Sequence, residues 1–162
     1  MKILVVGSGG REHAIALKLK ENPKVEQIFA APGNGGMAAF CTPVNIKATD
    51  VEGMVAFAKE NGVDFAVVAP DDPLVLGMVD AMEEAGIPSF GPNKAAAIIE
   101  GSKVFSKNLM KKYGIPTAKY ETFASEEDAV AYLKAQNTYP TVVKADGLAL
   151  GKGVLIAKNE QE

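Results

Sequence analysis

Apolar positions in the first hundred residues follow two alternating rhythms. Short runs rich in β-branched residues stop at glycine or proline, and longer stretches place apolar residues three and four apart. Residues 3–6 read as a buried strand ending at Gly7, and a helix over 11–21 is stopped by Asn22-Pro23. Further strands are expected at 27–31, 43–46, 65–68 and 87–90. Helices are expected at 50–61, with Asp50 as N-cap and Gly62 just past its end, and at 74–85. In the latter, Val75, Met78, Val79 and Met82 share one apolar face, and Gly86 closes it. Such alternation predicts an α/β fold: an open parallel, Rossmann-like sheet with helices on both faces and right-handed crossovers.

The rhythm then changes. Helices over 94–100 and 102–113 meet near Gly101, and Gly114-Ile115-Pro116 breaks the pattern. An extended stretch at 119–123 precedes a helix over 125–135. Ser125 is its expected N-cap, and Glu127 lies one residue short of the capping-box position. Strands at 141–145 and 154–157 bracket a glycine-rich turn. A β-α-β-loop-β order predicts a small α+β unit. The expected organisation is a domain over 1–101, a helical hinge over 102–118, and a second domain beginning at 119. A strand followed by the polar tail 158–162 is a poor place for a domain to finish. Three strands bury little apolar area alone, so the second domain is expected to be truncated at 162.

Composition narrows the function classes. Apolar residues at 48% are enough for a core, and charged residues at 23% are ordinary for a soluble globular chain. No apolar run approaches the roughly 18 residues of a membrane span. The leading run is shorter than a signal-peptide core of about 7 residues, and no cleavage site follows it. A lone cysteine, Cys41, cannot form an internal disulfide, which fits a reducing cytoplasm. The net charge of −3 argues against nucleic acid as a partner. Residues 1–100 carry 8 Lys/Arg and 13 Asp/Glu, whereas 101–162 carry 9 and 7. Either this is scatter, or the second part handles an anion.

Two constellations carry chemistry. Gly7-Ser8-Gly9-Gly10-Arg11-Glu12 leaves a strand and opens a helix, the context in which backbone N–H groups can face a phosphate. Arg11 could add a bidentate contact. A dinucleotide fingerprint fits badly, because its third glycine falls on Glu12 and the second strand ends without an acid. A monophosphate site fits better; a ligand-free tight turn is the alternative. His13, the single histidine, has no metal-binding histidine partner and reads as a packed helix residue. The cluster Pro32-Gly33-Asn34-Gly35-Gly36 and the pair Asp71-Asp72 should share the same sheet edge. Those carboxylates could hold ribose hydroxyls, or Pro70–Pro73 could be turn chemistry alone.

In the second constellation, Lys144 ends a strand, Gly147, Gly151 and Gly153 follow, and Lys152 lies between two of them. This loop re-enters a strand, which excludes a P-loop. A glycine loop between strands can fold over a triphosphate, with Lys152 riding on it and Lys144 fixed beside it. An ordinary glycine-rich hairpin is the alternative. Lys103, Lys107 and Lys111 recur every four residues, and Lys103 stands out at a helix start near the hinge.

Together these segments resemble the glycinamide ribonucleotide synthetases of the ATP-grasp superfamily. The resemblance rests on six stretches in family order: 7–14, 31–34, 70–74, 90–97, 100–103 and 143–153. It implies a pre-ATP-grasp sheet followed by a partial ATP-grasp subdomain. It implies an ATP-dependent ligase that converts glycine to an acyl phosphate and passes it to the amine of 5-phosphoribosylamine in purine biosynthesis. ATP is the implied cofactor, with Mg2+ or Mn2+ held by residues beyond 162. The chain alone is then expected to be inactive, its catalytic residues are unassigned, and the enzyme is expected to be a cytoplasmic monomer. Carried over position by position, Lys103, Lys144, Gly147, Gly151, Lys152 and Gly153 serve ATP. Gly9, Gly10, Arg11, Asn34 and Asp71 serve the ribose phosphate. Asp71 departs from the family, which usually has Gly-Pro-Glu where this chain has Ala69-Pro70-Asp71. A free-standing nucleotide- or phosphate-binding module and a nicotinamide-dependent dehydrogenase are the competing classes.

Overall fold

The unbroken apolar run at the start becomes β1 (Lys2–Gly7), whose Leu4, Val5 and Val6 are fully buried. Burial of both faces is what a central parallel strand requires. The computed structural model describes residues 1–149 and 152–162, which divide into the units Met1–Ile98 and Ile99–Glu162.

In the first unit, β1 leads into α1 (Gly10–Lys20), β2 (Gln27–Pro32), β3 (Thr42–Pro43), α2 (Val51–Glu60) and β4 (Phe65–Val68). Then come α3 (Asp71–Leu76), α4 (Met78–Glu84) and β5 (Ser89–Phe90), and α5 (Lys94–Gly101) begins in this unit. The five strands are parallel, in the order β3-β2-β1-β4-β5. Leu4, Val6, Phe29, Ala31, Ala66 and Val68 pack with Met54, Ala58, Met78, Val79 and Met82 of α2 and α4. Ile3, Val5, Ile28, Ala30 and Val67 pack with Ala16 of α1, Met37 and Cys41. Alternate residues of each strand therefore feed two cores, and helices cover both faces as expected.

Three elements differ from expectation. The expected 74–85 helix is two helices, because Gly77 adopts φ 94°, a left-handed value that interrupts the helical ladder. The expected 43–46 strand pairs only at Thr42–Pro43: the Val44 N–H still reaches Ala30 O at 2.9 Å, but the Ile46 N–H turns back to Val44 O at 2.8 Å and the ladder ends there. The expected 87–90 strand shrinks to Ser89–Phe90. The Ile87 N–H is taken by Met82 O at 2.9 Å, closing α4, and Pro88 has no N–H.

The second unit holds α6 (Lys103–Lys112), α7 (Glu126–Gln136) and an antiparallel hairpin of β6 (Thr141–Lys144) and β7 (Val154–Ala157). Ser102 caps α6, its Oγ accepting the Phe105 N–H at 3.1 Å. Ser125 caps α7 as expected, but the acid that meets its hydroxyl, at 2.8 Å, is Asp128 and not Glu127. The expected extended stretch 119–123 forms no strand. Among the described residues of this unit only Ala157 is buried, and the hairpin exposes Val142, Leu155 and Ile156.

Candidate functional site

The register Val6↔Ala31, Gly7↔Pro32 and Val6↔Val68 brings the loops after β1, β2 and β4 to one edge of the sheet. With β2 and β4 on opposite sides of β1, this is the point where the winding direction reverses, the usual ligand edge of an open α/β sheet. Side chains stitch the loops together. Arg11 Nη1 donates to Ala69 O at 3.0 Å, and Asn34 Nδ2 donates to Ser8 O at 2.9 Å. Asn34 Oδ1 accepts the N–H groups of Gly36 (2.9 Å) and Met37 (3.0 Å), and Gly33 N–H reaches Gly7 O at 3.1 Å. His13 packs below the second glycine cluster, its ring 5.5 Å from Phe40 and its Cε1 2.6 Å from where a Cβ on Gly36 would lie.

The turn carries a feature that spacing did not reveal. Glu12 is 5% exposed, and its Oε2 accepts the Gly9 N–H at 2.6 Å. A Cβ on Gly7 or Gly9 would come within 2.7 Å of this side chain, whereas a Cβ on Gly10 or Gly35 would meet nothing within 4 Å. The open approach therefore lies over Gly10, where the first N–H groups of α1 have no intrahelical acceptor. Those donors, with the guanidinium N–H groups of Arg11 not used by Ala69, suit a single phosphate group. Asp71 is exposed at the start of α3, next to the Pro70 that borders Gly7.

The second unit assembles its own constellation. Lys144 closes β6 opposite Val154, and Ala145 N–H continues the ladder to Gly153 O at 2.8 Å. Gly147 adopts φ +87°. Across 44 residues of chain, Lys103 Nζ donates to Gly147 O at 2.6 Å, so the lysine at the start of α6 is delivered to the glycine loop. Lys144 and Lys152 are exposed. Gly153 packs tightly, with a Cβ there 2.7 Å from Ala149 Cβ. Gly151 lies outside the described residues.

Asp146 was not singled out in the sequence. Its carboxylate accepts Ser102 Oγ at 3.1 and 3.2 Å and the Val104 N–H at 3.2 Å, pinning the root of the loop to α6. The Val104 N–H above all holds this carboxyl below its ordinary range, against partial desolvation, with help from the Ser102 hydroxyl and the amides of Gly147 and Lys103. Because the folded-state value is depressed, the anchor is complete above the unfolded value of about 4 and is lost as pH falls through the folded value. The protection of the Val104 amide should thus decline in acid for the native sequence and be low and flat for Asp146→Asn. Identical curves would remove the anchor.

An open parallel sheet followed by a lysine-bearing hairpin is the order of parts expected of the ATP-grasp class. The biotin carboxylase domain of a Hydrogenobacter thermophilus 2-oxoglutarate carboxylase has a similar fold, matching 99% of the chain and 38% of that structure with a TM-score of 0.78 at 23% identity. The chain belongs to the phosphoribosylglycinamide synthetase family. Residues 1–100 match "Phosphoribosylglycinamide synthetase, N domain", and residues 101–162 match "Phosphoribosylglycinamide synthetase, ATP-grasp (A) domain". It is 55% identical over 159 residues to a phosphoribosylamine–glycine ligase of Allochromatium vinosum, covering 97% of the chain and 37% of that protein. A Vibrio vulnificus protein of the same name is 52% identical over 164 residues, covering all of the chain and 38% of that protein. The phosphoribosylamine–glycine ligase of Thermotoga maritima gives a TM-score of 0.76 at 33% identity, covering 99% of the chain and 37% of that structure. The chain thus spans less than two fifths of the length of these relatives. Among the described residues, no helix is long and apolar enough to cross a membrane.

Proposed function

We propose that this chain supplies the amine-substrate domain and the first part of the ATP site of a ligase that joins glycine to 5-phosphoribosylamine. The products are glycinamide ribonucleotide, ADP and phosphate, formed through glycyl phosphate. A carboxylate is a poor acylating agent at neutral pH. Transfer of the terminal phosphoryl group of ATP to glycine makes the carbonyl reactive, and the amine then displaces phosphate. Positioning and charge neutralisation carry such a reaction. In this reading Gly10, Arg11 and Asp71 face the ribose phosphate, while Gly9, whose N–H is taken by Glu12, and Asn34 shape the turn beside it. Asn34 acts chiefly by holding its loop, since its amide is engaged with Ser8, Gly36 and Met37. Lys103, Lys144 and Lys152 offset triphosphate charge, and Gly147, Gly151 and Gly153 let the loop close over it. A Mg2+ or Mn2+ ion would add positive charge at the phosphates, and no residue of this chain is assigned to it. Residues 102–118 carry the join between the two domains, and the enzyme works as a cytoplasmic monomer on small molecules.

The observation that carries the reading is the convergence of two lysines on one glycine loop: Lys103 Nζ reaches Gly147 O across 44 positions, and Lys144 closes the strand that opens the same loop. In calorimetric titrations of this chain, ATP and ribose 5-phosphate should each bind, and nicotinamide adenine dinucleotide should not. Tight dinucleotide binding without ribose 5-phosphate binding would overturn the proposal. In an intact ligase containing this sequence, ADP formation should require glycine, and sustained turnover should require phosphoribosylamine as well.

A further inference from the structure

The glycine turn after β1 has the spacing of a dinucleotide cradle at its first two glycines and a glutamate at the third position. In such cradles, bare glycine backbone lets a diphosphate approach closely. Here that space is occupied from within. The Glu12 side chain lies 2.7 Å from the place of a Cβ on Gly7, and its Oε2 lies 2.7 Å from the place of a Cβ on Gly9. The same oxygen takes the Gly9 N–H at 2.6 Å. The side chain is 95% buried, by its 5% exposure, so it is part of the turn and not a surface charge.

We infer that Glu12 is a specificity and positioning residue. It acts as a built-in anion that fills the diphosphate cradle and leaves only the approach over Gly10 and Arg11, restricting the site to a terminal phosphate monoester. This rests on the ribose-phosphate reading of the same edge. Three features combine. A carboxylate in the first turn of a helix is favoured by the helix dipole, so it competes there with any incoming anion. Its bond to Gly9 withdraws one of the N–H donors a bridging diphosphate would need. Its bulk and charge face the middle of the turn, whereas the position over Gly10 is unobstructed. A small monoester can use the Gly10 side together with Arg11. A dinucleotide, which must lay its diphosphate across the turn, meets an oxygen where it needs a donor.

The test reads binding at the turn itself, so that nucleotide bound elsewhere on the chain does not interfere. Amide shifts of Gly9, Gly10 and Arg11 are followed while ribose 5-phosphate and nicotinamide adenine dinucleotide are titrated into the 162-residue chain. Glu12→Ala should move the affinity ratio at least tenfold toward the dinucleotide. Glu12→Gln, which still fills the niche and accepts from Gly9 but carries no charge, should shift the ratio toward the dinucleotide by clearly less than alanine does. A purely structural role would weaken both ligands alike and leave the ratio fixed. If the alanine variant does not form the turn, Glu12→Asp provides the same comparison: it stays charged but is one methylene too short to reach Gly9. An unchanged ratio in the alanine and aspartate variants overturns the inference, as does a glutamine variant that shifts as far as alanine. If the native sequence fails to bind ribose 5-phosphate, the functional reading falls as well, and that outcome is visible before any variant is made.

Discussion

Lys144→Ala, in an intact ligase containing this sequence, should reduce turnover by about 100- to 1000-fold, the loss typical when one preorganised partner of a developing charge is removed. Folding should be almost unaffected. Lys144 is exposed at the end of β6, and its ammonium makes no hydrogen bond or ion pair among the described residues. What it contributes is therefore available to a ligand. Its backbone is fixed by the pairing with Val154, so the charge sits on a stationary strand beside the glycine loop. Lys144→Arg should recover part of the activity, because the charge returns with a different donor geometry. Steady-state kinetics with ATP varied is the measurement. Native turnover in the alanine variant would remove Lys144 from the ATP site.

Gly7→Ala should destabilise the first unit by about 2–5 kcal/mol. A side chain at a left-handed backbone costs about 1–2 kcal/mol, and forcing extra volume into packed surroundings costs about 1–3 kcal/mol. Gly7 requires both, with φ +122° and a Cβ that would lie 2.7 Å from Pro70 Cγ as well as from Glu12 Cγ. Gly10→Ala is the matched control. Its Cβ meets nothing within 4 Å, and it opens a helix, so its effect on stability should be close to neutral. Urea unfolding monitored by hydrogen exchange in β1 separates the two. Equal costs at both positions would contradict the packing described for the turn.

Legibility followed the range over which each feature is encoded. The strands at β1, β2 and β4 could be read because burial on both faces demands unbroken apolar runs, and the runs stop at Gly7, Pro32 and Pro70. Caps at Asp50 and Ser125 could be read because they are local, with donor and acceptor three residues apart. Gly77 was hidden because apolar spacing continues across it from Val75 to Met82 and only the backbone angle breaks the helix. Glu12 was legible as a misfit to a dinucleotide cradle but not as a cap, because the N-cap residue, Gly9, has no side chain to complete the usual signature. Asp146 could not be read at all, since its partners Ser102 and Val104 lie 44 and 42 residues earlier.

The sequence by itself determined the alternation that makes a parallel sheet, the glycine turn at its edge, and the lysine–glycine loop that follows. Each is a short-range pattern of volume, polarity and backbone freedom. Only the tertiary structure decided how those parts are filled. It folded the Glu12 carboxylate into the space the glycines leave, brought Lys103 to Gly147, and pinned Asp146 to the start of α6. Two of these contacts join residues more than forty positions apart, and the third depends on a buried rotamer; no local spacing records either.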